Sequence, residues 1–288
     1  MEGRKGEGDW RSVSTSSTRR SSKSLPTNPA LQYGSGGLGP ARALGAFSVK
    51  PGGELVDGDA ELRLLPRPQR RLPLPWNLNR GQGERRGSGK PRFLDLLCDW
   101  LQPCPQEELR DSDFVARLST LSTLAATPYR PRNAWTLAIM RLNATYFIID
   151  FRPRDETEEM GREVAEVRDK WSLWAQKLRA YLSTEAEDEM EIDEAVDQSR
   201  GFYQIFQRTL GQHKLLYLAS MDACDKVADD FVSIKINRAL KSERQELGFY
   251  RSKAMSWWLQ CQWLSVERIL VGIADDELDM SLGQLLIF

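Results

Sequence analysis

Two tripeptides place a small hydroxyl residue two positions ahead of a charged one: Ser220-Met221-Asp222 and Ser233-Ile234-Lys235. Both lie within "LASMDACDKVADDFVSIKI", residues 218–236, which reads as two short strands joined by an acidic turn. Side chains alternate faces along a strand. Ser220 therefore shares a face with Asp222, and Ser233 with Lys235, each pair separated by roughly 7 Å. Val232, Ile234 and Ile236 point the other way. If the strands pair, an aspartate, a lysine and two hydroxyls converge on one polar surface. Carboxylates beside a lysine on adjacent strands are the parts of a hydrolytic metal site, in which a divalent cation positions an attacking water. Such a site needs several carboxylates, because Mg²⁺ and Mn²⁺ prefer hard anionic oxygens, and here Asp222 is the single one in the two tripeptides. The plainer reading is a half-buried polar face carrying an Asp222–Lys235 ion pair. Asp225, Asp229 and Asp230 in the turn are further carboxylates, placed outside the strand register.

Other chemistries are thinly supplied. His213 is the only histidine, which argues against His-based triads, two-His metal sites and zinc fingers. Cys98, Cys104, Cys224 and Cys261 show no paired spacing, and no apolar leader opens the chain, so a reducing intracellular compartment is expected. Apolar runs fall far short of the ~20 residues of a membrane helix, so the sequence predicts a soluble protein without membrane partners. The sequon Asn143-Ala144-Thr145 falls in an expected hairpin turn and reads as a chance match. A net charge of −1 in 288 residues gives no overall pull toward nucleic acid, so any such pull must be local. Residues 67–92 are locally basic, with Arg70 and Arg71 among their arginines, and "EAEDEMEIDEAVD", residues 185–197, is acidic and reads as a solvated loop.

The elements that must carry these residues follow from pattern. Residues 1–40 are rich in Ser, Gly, Arg and Lys and predict a disordered tail. Residues 41–288 predict one domain, with nine Trp and ten Phe to fill its core. "LGAFSVKPGGELVDGDAELRLL" predicts strand, Gly-rich turn and strand, and residues 66–92 a basic loop ordered only by a partner. "RFLDLLCDWLQ" and "SDFVARLSTLSTL" predict helices, the first carrying Cys98, with Cys104 just beyond it. "AWTLAIMRLNATYFIIDF" predicts a hairpin turning at Asn143. Asp155 with Glu158 forms a capping-box signature for a long helix whose Met160, Val164, Val167, Trp171, Trp174, Leu178 and Tyr181 make one apolar seam. "RGFYQIFQRTL" reads as an amphipathic helix. "ELGFYRSKAMSWWLQCQWL" predicts a helix with Leu247, Tyr250, Ala254, Trp257, Cys261 and Leu264 on one face, and "RILVGIA" a buried strand. Trp257 and Trp258 are candidate base-stacking rings, Trp257 fitting the core better. The fold class is α+β, with mixed β-sheets flanked by helices.

In their order and spacing these segments resemble the DXO family of RNA decapping and 5′-to-3′ exoribonucleases. "LGAFSV" and "DGDAELRLL" look like its opening strands, and "LLCDWL" like its next helix. "ATPY" with "AWTLAIMRLNATYFIID" is similar to its Thr-Pro-Tyr and hairpin, and "TLGQHKLLYLASMDACD", "FVSIKI" and "FYRSKAMSWWLQCQWLSVERILVGI" to its later motifs. The resemblance implies a metal-dependent nuclease core, with Asp222, Lys235 and Gln260 standing where the family pattern asks. It also implies replacements. Ser220 and Ser233 stand for the first residues of Glu-x-Asp and Glu-x-Lys, and Arg179 in "WAQKLRAYL" for a metal-binding Glu. Leu118 falls near the first motif's arginine, with Arg117 one residue away.

What this implies for function is a Cutoff-like member with degraded catalytic motifs: a protein that binds RNA 5′ ends, is impaired in catalysis and works in nuclear RNA processing, protection or quality control. Arg117, Arg179, Lys235, Gln260, Arg70 and Arg71 would contact RNA, and Asp222 is the one candidate metal ligand. The alternative is an active decapping nuclease, a pyrophosphohydrolase or 5′-to-3′ exoribonuclease removing incomplete or NAD caps, with carboxylates drawn from the acidic turn. Mg²⁺ or Mn²⁺ is the implied cofactor if active, and none otherwise. Implied partners are RNA and a nuclear 5′-to-3′ exoribonuclease or another transcription or RNA-processing protein. The expected compartment is the nucleus, aided by "RPQRRLPL", with the cytoplasm second. Beyond "VGIADDELDMSLGQLLIF" the family continues, so a shortened member with an unpaired sheet edge is expected.

Overall fold

The computed structural model describes residues 37–65, 76–78, 93–101, 111–130, 135–150, 162–183, 200–274 and 279–287. They form two mixed sheets with helices packed on both, the α+β architecture expected from the sequence. The expected tail up to residue 36, the acidic run 185–197, the capping box at Asp155, Met160, Cys104, Arg70 and Arg71 lie outside the described residues. Leu38 already bridges to Leu210, and the Gly39 N–H donates to the Thr209 carbonyl.

The seven-stranded sheet runs β2-β1-β8-β9-β5-β7-β6. Its strands are β1 (Arg42–Val49), β2 (Leu55–Asp57), β5 (Phe114–Arg117), β6 (Leu137–Leu142), β7 (Thr145–Asp150), β8 (Gly201–Leu210) and β9 (His213–Met221). The central β5 runs parallel to both β7 and β9, and the remaining pairs are antiparallel. The second sheet runs β3-β10-β11-β12-β13-β4, with β3 (Leu64–Leu65), β4 (Trp76–Asn77), β10 (Ala223–Asp225), β11 (Asp230–Arg238), β12 (Arg268–Ala274) and β13 (Asp279–Ile287). Here β10 pairs parallel to β3, and β11 parallel to β12.

Five helices cover the sheets within the described residues: α1 (Phe93–Leu101), α2 (Leu118–Ala126), α3 (Arg162–Ser183), α4 (Glu243–Phe249) and α5 (Met255–Leu264). Helix α1 lays Leu96, Leu97 and Trp100 on the face of the first sheet formed by Phe47, Val115, Leu216 and Leu218. Gly45 makes that approach possible, since a Cβ there would stand 2.6 Å from Trp100 Cζ2. The other face presents Phe206, Tyr217 and Ala219 to Trp257, Cys261 and Trp263, and these aromatic rings join the two sheets through Ile269 and Val271. Helix α3 packs Trp174, Leu178 and Tyr181 on Val232, Ile234 and Leu270, so its apolar seam belongs to a core helix lying on a sheet.

Several expected elements take another form. "RGFYQIFQRTL" is strand β8, because it lies between β1 and β9 and pairing on both edges outweighs a helical pattern. The first part of "SDFVARLSTLSTL" is β5, where Val115 and Ala116 are buried at the centre of the sheet. The two strands of the opening motif do not share a sheet. The chain leaves the first sheet after Met221, passes through Asp222 and enters the second as β10, which forms the hairpin with β11. The long C-terminal helix is broken by a π turn at Tyr250–Ala254. Its extra residue rotates the apolar face, leaving Leu247 and Tyr250 exposed while Phe249 packs inward on Trp257. Within the basic loop, β4 pairs with β13 and Leu78 is 1% exposed, so this part is ordered by the chain itself. Strand β13 pairs along one edge with β12, and β4 pairs with Asp279 and Met280 on the other.

Candidate anion-binding site at the sheet crossing

Where the chain crosses between sheets, the ends of β8, β9 and β11 meet the start of α2, the middle of α3 and the face of α5. They enclose a cavity of about 280 Å³. Asp222 forms its floor, because a residue between two strands has no ladder partner and its side chain can reach into the gap. Asp222 Oδ2 accepts the Ile234 N–H at 2.9 Å and the Ser233 hydroxyl at 3.1 Å. Arg179 Nε stands 2.7 Å from Oδ1, an ion pair whose N–H is not aligned as a hydrogen bond, and Lys235 Nζ lies 3.8 Å from Oδ2. Burial pushes the Asp222 carboxyl up, but Arg179, then Lys235 and the two hydrogen bonds, outweigh it and hold the group below the usual carboxylate range.

The alternation expected for β11 holds. Val232 and Ile234 pack with α3, Val232 also reaching the cavity wall, while Ser233 and Lys235 line the cavity. Lys235 Nζ donates to Gln260 Oε1 at 3.0 Å, which ties the strand to α5. Ser220, Leu118 and Arg117 also line the cavity, Leu118 half-buried and Arg117 exposed at the N-cap of α2. Burial raises the Tyr203 hydroxyl, and the Arg117 charge acts against that shift.

Arg63, Arg200 and Gln176 are among the cavity residues that escaped the sequence reading. Arg63 immediately precedes β3, and its carbonyl accepts the Cys224 N–H at 2.8 Å, so the parallel β3–β10 pair delivers it to the crossing. Burial, then the nearby charges of Arg179 and Arg200, push the Arg63 guanidinium down to about 10, against the attraction of Asp222 and Glu61. Arg200 is held by Glu61, its Nε 2.6 Å from Oε2. Glu61 is itself fixed by Ser48, a fully buried serine whose Oγ accepts the Glu61 N–H at 3.0 Å and donates to the Gly58 carbonyl at 2.9 Å. The one available signal was Arg63 alternating with apolar neighbours in "LRLL", and the pairing that gives it meaning spans more than half the chain.

Among the described residues the cavity therefore sets Arg63, Arg117, Arg179, Arg200 and Lys235 around one carboxylate already committed to two cations. Among the described residues no three His, Cys, Asp or Glu side chains gather so as to hold a metal ion. Asp225 is engaged elsewhere, with Arg268 Nη1 at 2.7 Å and the Val227 N–H at 2.8 Å, and neither it nor Asp229 and Asp230 lines the cavity. The donor set does not suit a divalent cation. It suits an anion with several oxygens.

Residues 40–282 match the family model described as RAI1-like PD-(D/E)XK nuclease. The chain belongs to the RAI1-like PD-(D/E)XK nuclease family. Among curated members, the decapping and exoribonuclease protein of Homo sapiens is 26% identical over 278 residues, which is 90% of this chain and 69% of that protein. The Xenopus laevis protein of the same name is 23% identical over 174 residues, 58% of this chain, and the match spans 43% of its length. The fold agrees with the crystal structure of Candida albicans Rai1 in complex with pU5 and Mn²⁺, at a TM-score of 0.72 and 16% identity over 88% of this chain and 73% of that one. RAI1-like nucleases thus share this fold. Among the described residues no helix is long and apolar enough to cross a membrane.

Proposed function

We propose that this RAI1-like chain binds the 5′ end of RNA in the cavity at the sheet crossing and does not hydrolyse it with a metal ion. The observation that carries the reading is the state of Asp222: the one acidic side chain lining the cavity among the described residues is paired with Arg179 and Lys235. Metal-dependent hydrolysis would need further anionic ligands here. A carboxylate held below its usual range is also a poor general base. The surrounding guanidinium groups can instead each meet a phosphate in bidentate fashion. The Candida albicans relative was solved with pU5, an RNA bearing a 5′ phosphate, which supports RNA as the ligand. Ser220, Ser233 and Arg179, standing where the resembled motifs carry carboxylates, support the loss of hydrolysis. The basic run "RPQRRLPL" supports a nuclear location, and a retained 5′ end suits protection or quality control of transcripts.

The test uses purified protein, Mn²⁺ and 5′-labelled RNA, monophosphorylated or capped. The wild type is expected to bind and leave the RNA at full length. A variant with Arg179→Glu, Ser220→Glu and Ser233→Glu is expected to shorten it. Release of caps or nucleotides by the wild type, abolished by Asp222→Ala, would show that the metal site is formed and the proposal wrong.

A further inference from the structure

Gln260 and Ser119 are walls of two hollows. On one side lies the cation-lined cavity, and on the other a cleft of about 190 Å³ between α2 and α5. Among the described residues Arg130 is the one charged side chain lining the cleft. Its mouth carries Trp135, a ring 42% exposed whose indole N–H donates to the Thr127 hydroxyl at 3.0 Å. That bond fixes the ring plane, so the exposed indole is ordered before any ligand arrives. Arg130 is fixed as well, since its Nη2 donates to the Ser252 carbonyl and the Ser256 hydroxyl.

The cleft also holds unused hydrogen-bonding capacity. Ser122 lines it and is 8% exposed, yet its hydroxyl has no partner, and Arg130 Nε is likewise buried and unpartnered. Buried polar atoms of this kind are costly and mark places where a ligand or water completes the bonding. By contrast, the hydroxyls of Thr123 on α2 and of Thr127 just after it donate back to the Ser119 and Thr123 carbonyls.

We propose that this cleft is a nucleobase subsite, in which one base of the bound RNA stacks on Trp135 and meets the Ser122 hydroxyl and the Gln260 amide. A flat ring, a guanidinium and a spare hydroxyl suit a base edge better than an aliphatic or a purely anionic ligand, and every base has a π-face to offer. The shared wall places the cleft one step from the phosphate cavity, so a single RNA strand can occupy both. The assignment rests on the reading of the cavity as a 5′-end site.

The experiment measures binding of 5′-phosphorylated penta-uridylate and, separately, inorganic pyrophosphate. Trp135→Ala is expected to weaken the oligonucleotide about tenfold and to leave pyrophosphate unchanged, while Trp135→Phe restores most of the loss. Ser122→Ala is expected to weaken the oligonucleotide severalfold with no loss of melting temperature, because its hydroxyl has no partner to leave behind. Trp258→Ala, removing an exposed ring outside the cleft, serves as the control. Ultraviolet cross-linking of an oligonucleotide carrying 5-iodouridine is expected to mark Trp135, and this decides the matter should Trp135→Ala fold poorly. If both Trp135 variants bind the oligonucleotide like wild type, or the cross-link maps elsewhere, the subsite is wrong and the 5′-end reading stands. If wild type binds pyrophosphate but no RNA, both fall.

Discussion

Asp222 shows how one side chain can serve an architecture and a site together. Its Oδ2 closes the crossing by accepting from Ile234 and Ser233, and its Oδ1 faces Arg179. Removing it leaves two cations uncompensated in a partly buried place. Asp222→Ala is therefore expected to cost about 3 kcal/mol, measured by urea unfolding at neutral pH. The pH dependence has a definite sign. A carboxyl held below its unfolded value contributes stability above that value, about 3.9, and loses it as pH falls through the depressed native value. Acid titration of the unfolding midpoint is expected to show a steeper fall below about pH 4 for wild type than for Asp222→Asn. Lys235 was legible in the sequence from the alternation of its strand, and Asp222 and Gln260 were named through the resemblance to the family's motifs. Arg63 and Arg200 were not, since a strand pairing and a carboxylate remote in sequence put them in place.

At the scale of elements, local pattern served where the apolar residues keep one period or form one continuous run, and failed where a buried polar residue breaks the pattern. The described part of the α3 seam, Trp171, Trp174, Leu178 and Tyr181, packs as expected, β11 turns Ser233 and Lys235 to the cavity, and β12 is the buried strand its apolar run predicts. Strand β8 was misread as a helix because its buried residues, Phe202, Ile205, Phe206 and Arg208, follow a helix-like spacing. Arg208 explains the irregularity: its guanidinium is buried to serve the carbonyls of Gly39, Gln262 and Trp263, a cap on the end of α5 that no periodicity encodes. That end carries a measurable strain. Ser265 adopts φ 53° in the left-handed region while its N–H returns to the Cys261 and Gln262 carbonyls. Ser265→Gly is expected to raise stability by about 0.5–1 kcal/mol, read from the denaturation midpoint, because glycine carries no Cβ penalty there.

For the molecule as a whole, a net charge of −1 conceals a strongly positive interior cavity. Binding of 5′-phosphorylated RNA is accordingly expected to weaken steeply between about 50 and 200 mM salt. Arg63→Gln should lessen the slope of log affinity against log salt by about 0.7 while weakening all sequences alike, and an unchanged slope would remove Arg63 from the phosphate contacts. Phosphate or pyrophosphate alone should raise the melting temperature by relieving the mutual repulsion of Arg63, Arg179 and Arg200. The crossing at Asp222 gives the molecule a built-in gauge of this site. The amide hydrogen of Ile234 is held by a carboxylate from across the gap, so its exchange with deuterated solvent should be slow while that carboxylate stays in place. A variant that recruits Mn²⁺ would draw the same oxygen toward the metal, and that one amide would begin to exchange while its strand neighbours stay protected.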